Sequence, residues 1–169
     1  MKGQSRGEDL PVLLTALAMG LALQSQTDRS IIVLDYDENR LMAVDRNSIR
    51  WSAEGPSADF IIIQGRPRAV DGRTYQTAIH RLTMDCDGRR ARFGSTEFLT
   101  LDAQRVKRLE EGSPDWTAAG PSSALEGALD VVCRNQLPSP SSQPVTAIVS
   151  LGTLYMRVLE QMEGEKSGS

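Results

Sequence analysis

Apolar and β-branched residues come in short alternating runs over residues 30–101 and take helical spacing only near the C-terminus. That pattern predicts a sheet first and helices last. SIIVLDYD reads as a strand entering a hairpin at Asp37-Glu38-Asn39. RLMAVDRNSIRW alternates at Leu41, Ala43, Ile49 and Trp51, with a kink at 45–47 between two strand pieces, and EGPS ends it. ADFIIIQG is continuously apolar, so residues 60–63 are expected to be buried on both faces. Residues 65–72, with Pro67 and Asp71-Gly72, read as a turn-rich connection. RTYQTAIHRLTMDC places Tyr75, Thr77, Ile79, Arg81 and Thr83 on one face and Gln76, Ala78, His80, Leu82 and Met84 on the other. Asp87-Gly88 supplies a hairpin turn and RRARFGSTEFLTL the returning strand, while AQRVKRLEE fits either a strand or a helix.

Ser123 stands three residues before Glu126, the spacing of a capping box, and Leu125, Leu129, Val132 and Cys133 follow at helical spacing. A helix over 124–136 is predicted, ended by the Pro/Ser linker 137–144. Residues 145–162 then predict an amphipathic terminal helix and 163–169 a disordered tail. The uncharged part of that helix, about 12 residues, is too short to span a bilayer. The fold class expected is α+β: an antiparallel β-sheet with a C-terminal helix packed on it, plus an additional terminal helix.

Length and charge narrow the function classes. A chain of 169 residues suits one domain with extensions. The net charge of −3, evenly scattered, forms no basic stripe to neutralise a phosphate backbone, which excludes nucleic acid as a partner. The cationic groups Arg89, Arg90, Arg92 and Arg105, Lys107, Arg108 are flanked by Asp85, Asp87, Glu110 and Glu111 and read as solvated strand faces. Near the start, Lys2 and Arg6 precede an apolar run over 10–23 in which Gly20 and Ala22 occupy the positions a signal peptidase reads. The reading is a signal peptide over 1–22, cleaved after Ala22, followed by the domain over 23–136. Glu8 and Asp9 beside the run support an alternative, a soluble cytosolic domain, enzymatic or not, with an uncleaved N-terminal helix. At about 14 residues the run falls short of the roughly 20 of a membrane span.

Two cysteines, Cys86 and Cys133, remain beyond the leader. An oxidising compartment would close them into a disulfide, whereas a cytosolic chain would keep them as buried thiols. There is no C-x-x-C pair, and the single histidine, His80, cannot complete a zinc site with them. His80 lacks partners in TAIHRLT for acid–base work and reads as a structural histidine. Asp35, Asp37 and Glu38 lack the glycine and distal glutamate of a calcium loop and read as turn chemistry. Ser122 and Ser123 follow Gly120-Pro121 without the G-x-S-x-G elbow or a downstream histidine, so they read as helix capping. Trp116 is read as a plug over the disulfide or an exposed contact for a partner. No catalytic residue, metal ligand or cofactor is expected, and an exposed edge strand or the C-terminal helix could serve a homodimer.

The ordered set YDENRLMAVDRNSIRW, FIII, DCDGRRARF, Trp116 and PSSALEGALDVVC resembles the bacterial surface-adhesin protein E family over residues 30–134. On this resemblance Asp45, Ser48 and Ile49 match a first motif, Asp85, Cys86 and Arg90 a second, and Trp116, Pro121, Ser123, Glu126 and Cys133 a third. The resemblance implies an antiparallel sheet with a flanking C-terminal helix and both cysteines in place. It also implies a location in the periplasm or at the cell surface, and binding of a protein or surface polymer rather than catalysis.

Overall fold

The structure, a computed structural model, describes residues 29–139 and 143–167. The expected signal peptide and its expected cleavage point lie outside the described residues. No helix among the described residues is long and apolar enough to cross a membrane.

The chain forms an antiparallel meander of β1 (Ile31–Tyr36), β2 (Arg40–Ser52), β3 (Gly55–Val70), β4 (Arg73–Asp85), β5 (Arg90–Leu99) and β6 (Arg105–Leu109), in that spatial order. A seventh strand, β7 (Trp116–Ala118), pairs with the first half of β5 beside β6. The loop between β6 and β7 crosses β5 so closely that a Cβ on Gly112 would lie 2.0 Å from the Phe93 carbonyl oxygen, so that position requires glycine. Two helices follow, α1 (Ala124–Arg134) and α2 (Ile148–Ser167).

The two helices cover opposite faces of the sheet. Because successive strand residues point to opposite sides, Ile32, Met42, Val44, Phe60, Leu82 and Met84 face α1 and pack with its Ala128, Leu129 and Val132. Ile31, Leu41, Ala43, Ile61, Ile63, Ile79 and Leu99 face the other way and pack with Ile148, Leu151 and Tyr155 of α2. The apolar run at 60–63 is thus divided, Phe60 to one core and Ile61 and Ile63 to the other.

Several local expectations are corrected. Residues 65–72 are not a long connection: β3 runs on to Val70, and only Asp71 and Gly72 turn, both with positive φ (47° and 73°). Pro67, which has no N–H to pair, sits where the β3–β4 register shifts between Ile63 and Arg68. The alternation assigned to β4 holds from Thr77 but inverts before it, since Tyr75 packs on Phe98 and Gln76 donates to Met156 Sδ on α2 (3.9 Å). Residues 45–50 are a bulge within one strand rather than a kink between two. Arg105–Leu109 is a strand. Helix α2 begins after Val145, which pairs with Ile31 through two 2.9 Å backbone hydrogen bonds. It continues past residue 162 to Ser167, with Lys166 ion-paired to Glu38.

Candidate functional site

The residues matched by the three motifs act chiefly as fasteners. Asp45 is 3 % exposed, and its carboxylate accepts from Ser30 N, Asn47 N and Arg29 Nη1, each at 3.0 Å. Ser48 Oγ donates to the Asp45 carbonyl (2.6 Å) and accepts from Asp59 N (2.7 Å), closing the bulge in β2, while Ile49 packs on the α1-side core. A buried carboxylate with this many donors leaves no polar group orphaned.

The second and third motifs clamp α1. Cys86 and Cys133 form a disulfide with their Cα atoms 5.8 Å apart, joining the end of β4 to the helix. Asp85 accepts from Gly88 N (2.9 Å) and Arg90 Nε (2.8 Å), and these bonds hold its carboxyl below the usual carboxylate range. Arg90 therefore secures the turn. The residue that reaches the helix is its neighbour Arg89, held at φ 49°, which donates to Asp130 (2.7 Å) and Glu126 (3.1 Å). Ser123 caps α1 by accepting from Glu126 N (3.2 Å), and Glu126 accepts in return from Ser122 N (2.7 Å). Both serines are occupied by capping.

Trp116 belongs to neither core. It pairs across from Arg92, whose neighbour Ala91 is buried on the α1 side, so Trp116 lies on the face away from α1 and the disulfide. The reading as a plug is corrected on this ground. Arg90 and Arg92 hold their guanidiniums 5.1 and 5.3 Å from the Trp116 ring centroid, within range of cation–π attraction. Arg92 also pairs with Glu54 at the tip of the β2–β3 hairpin (2.7 Å). Register extends the row through Thr83 and Ser57 to Arg50, which has no carboxylate at ion-pair distance among the described residues. The result is a partly exposed aromatic ring flanked by guanidiniums and hydroxyls, on the part of the second face beyond α2. The sequence placed Arg90 in the second motif and Arg90 and Arg92 on a solvated strand face, without joining either to Trp116. The signal was the spacing of Arg90 and Arg92, two apart and so on one face of a strand.

The remaining candidates are placed as follows. His80 is half-buried, 2.9 Å from Thr96 Oγ1 through Nδ1 and edge-on to Phe93, and burial lowers its pKa so that the ring is neutral near pH 7. Asp35 accepts from Tyr36 N, Asp37 from Asn39 N and Arg40 N, and Glu38 pairs with Lys166. Among the described residues no group of three His, Cys, Asp or Glu side chains is placed to hold a metal ion.

A family model described as surface-adhesin protein E matches residues 32–134, the segment from β1 through the disulfide-bonded helix. Neither the curated proteins nor the solved structures include a match. The matched segment makes up most of the chain and contains the meander, the disulfide and the capped helix. The chain belongs to the surface-adhesin protein E family.

Proposed function

We propose that this chain is a non-catalytic domain exported to the bacterial cell envelope, in the periplasm or on the cell surface, where it binds a protein or surface polymer through Trp116 and its flanking arginines. The observation that carries this reading is the division of labour among the motif residues. Those of the bulge, turn, cap and disulfide are engaged within the fold, while the Trp116 ring stays partly exposed between the guanidiniums of Arg90, which also secures the turn, and Arg92, which also holds Glu54. Tryptophan and arginine are the residues most enriched among those that dominate binding energy. The disulfide and the apolar run over 10–23 support an oxidising destination.

The test is cross-linking in the native envelope with the wild-type chain and Trp116→Ala. The variant should lose the cross-linked partner while keeping its unfolding midpoint within a few degrees, and the mature mass should begin near Leu23. An intact Met1 terminus in a cytosolic pool contradicts export. Unchanged cross-linking by the variant contradicts the assigned surface.

A further inference from the structure

We propose that the cleft where the β1–β2 turn meets the bulge in β3 binds a carboxylate-bearing sugar of an acidic glycan. This site lies at the other end of the sheet from Trp116. From Ser57, in the Trp116 row, to Gln64 is seven residues along β3, or about 23 Å at strand rise.

The cleft is built by the bulge. Gly65 N donates to the Asn39 carbonyl (2.7 Å), and a Cβ on Gly65 would lie 2.6 Å from the Glu38 carbonyl oxygen, so only glycine lets β3 approach the turn this closely. On either side of the bulge stand two cross-strand pairs, Arg40 with Gln64 and Arg68 with Tyr75. Their side chains line an open volume of about 390 Å³ with Asp37, Asn39 and Ile62, within the size range of small-ligand sites.

Three features specify the ligand. Arg40 and Arg68 are exposed and have no carboxylate at ion-pair distance among the described residues, whereas Arg81, Arg89, Arg90, Arg92 and Arg105 each hold one. In a chain of net charge −3, the guanidiniums of Arg40, which also acts by charge on Asp37, and of Arg68 line one cleft, and each presents the planar donor set that suits a carboxylate. Next, the Tyr75 ring is fixed edge-on against Phe98, with centroids 4.7 Å apart, and offers an apolar surface for the C–H face of a pyranose. Finally, Asp37, whose carboxyl is held ionised by the N–H groups of Asn39 and Arg40, and the amides of Asn39 and Gln64 supply acceptors for hydroxyl donors. A bare inorganic anion brings only charge, whereas a sugar acid sets its carboxylate on the arginines and a separate hydroxyl against Asp37. An acidic peptide segment would satisfy the arginines and could meet these acceptors with its backbone N–H groups, so polyglutamate is the competitor that separates the two ligands.

The test uses the full folded chain titrated calorimetrically at low salt with two probes, an oligogalacturonate and a hyaluronan tetrasaccharide. Saturable binding to at least one is expected, and removing the carboxylate charge by esterification should weaken it about tenfold or more, as loss of charge-assisted hydrogen bonds implies. Arg40→Gln and Arg68→Gln should each weaken binding about tenfold with an unchanged circular dichroism spectrum. Arg50→Gln and Trp116→Ala should leave it unaltered, which separates this site from the surface proposed above. The proposal is overturned by absence of saturable binding to both probes, by equal affinity for the neutral ester, by insensitivity to both arginine changes, or by polyglutamate competing as strongly as the sugar.

Discussion

The two faces of the sheet are buried to similar depth and held by different means. On the α1 side a disulfide, a reciprocal cap and the clamp of Arg89 on Asp130 and Glu126 all converge on an 11-residue helix. On the α2 side a 20-residue helix is fastened by apolar packing, a part-buried hydrogen bond from Tyr155 Oη to the Asp37 carbonyl (2.8 Å), a surface ion pair and the Ile31–Val145 bridge. The family match ends at residue 134, so the α1 side belongs to the matched segment and α2 lies beyond it. A meander with apolar residues on both faces needs two covers, but only one of them is specified by motifs. The other is specified by hydrophobic pattern alone.

Removing the second cover should have the largest effect. The side chains of Ile148, Leu151 and Tyr155 are almost fully buried, a gross gain of about 5 to 9 kcal/mol at 1.5 to 3 kcal/mol each. Ordering the helix and the segment before it offsets part of this gain. A chain ending at Gln136 is expected to lose about 3 to 5 kcal/mol yet stay folded, because the α1 fastenings are intact, and to self-associate through exposed Leu41, Ile61, Ile63, Ile79 and Leu99. Sedimentation and denaturant unfolding measure both effects. Complete unfolding would show that the α1 side cannot hold the sheet alone.

Next in size is the disulfide. Closing a loop across 47 residues is worth about 2 to 4 kcal/mol after allowance for residual denatured structure. Reduction, or Cys86→Ser with Cys133→Ser, should lower the unfolding midpoint by many degrees, each single change costing about as much as the double. A midpoint unmoved by reductant would erase the asymmetry between the faces.

Tyr155 gives a pH-dependent probe of the α2 side. Burial raises its pKa from 10 to about 12, so the neutral phenol is the form the fold accepts. Its contribution is complete below pH 10 and is lost as pH rises toward 12, about 2 to 3 kcal/mol in all. Tyr155→Phe should flatten that alkaline limb of the stability profile, at a cost near neutral pH of about 1 kcal/mol for the lost hydrogen bond. A limb unchanged in the variant would assign the titration elsewhere. The smallest effect is expected at the cap, where Ser123→Ala should cost about 1 kcal/mol by thermal unfolding. No loss there would mean that the disulfide and Arg89 already hold the helix start.

What the sequence made legible follows the same division. Alternation revealed the strands and the two-sided burial of 60–63, and Ser123 with Glu126 revealed the start of α1, because each is a local signal. The break at Asp45 was legible as a kink between two strands and not as the bulge within one that it is. Its cause is nonlocal, the donation from Ser30 N and Arg29 to a carboxylate on the neighbouring strand. The three-residue β7 and the seating of Trp116 between Arg90 and Arg92 depend on a pairing made only in the folded sheet. Helix α2 was visible as an amphipathic run, but nothing local to it said that it covers the second face. The cleft at Gly65 was hidden for the same reason: 65–72 looks like a loop until Arg68 and Tyr75 are seen to pair.

The asymmetry of the two faces is tested most directly by native-state hydrogen exchange on the oxidised chain. Amides of α2 should exchange through a sub-global opening of lower free energy than those of α1, whose amides should exchange only with global unfolding. Equal protection in the two helices, or weaker protection in α1, would contradict the account.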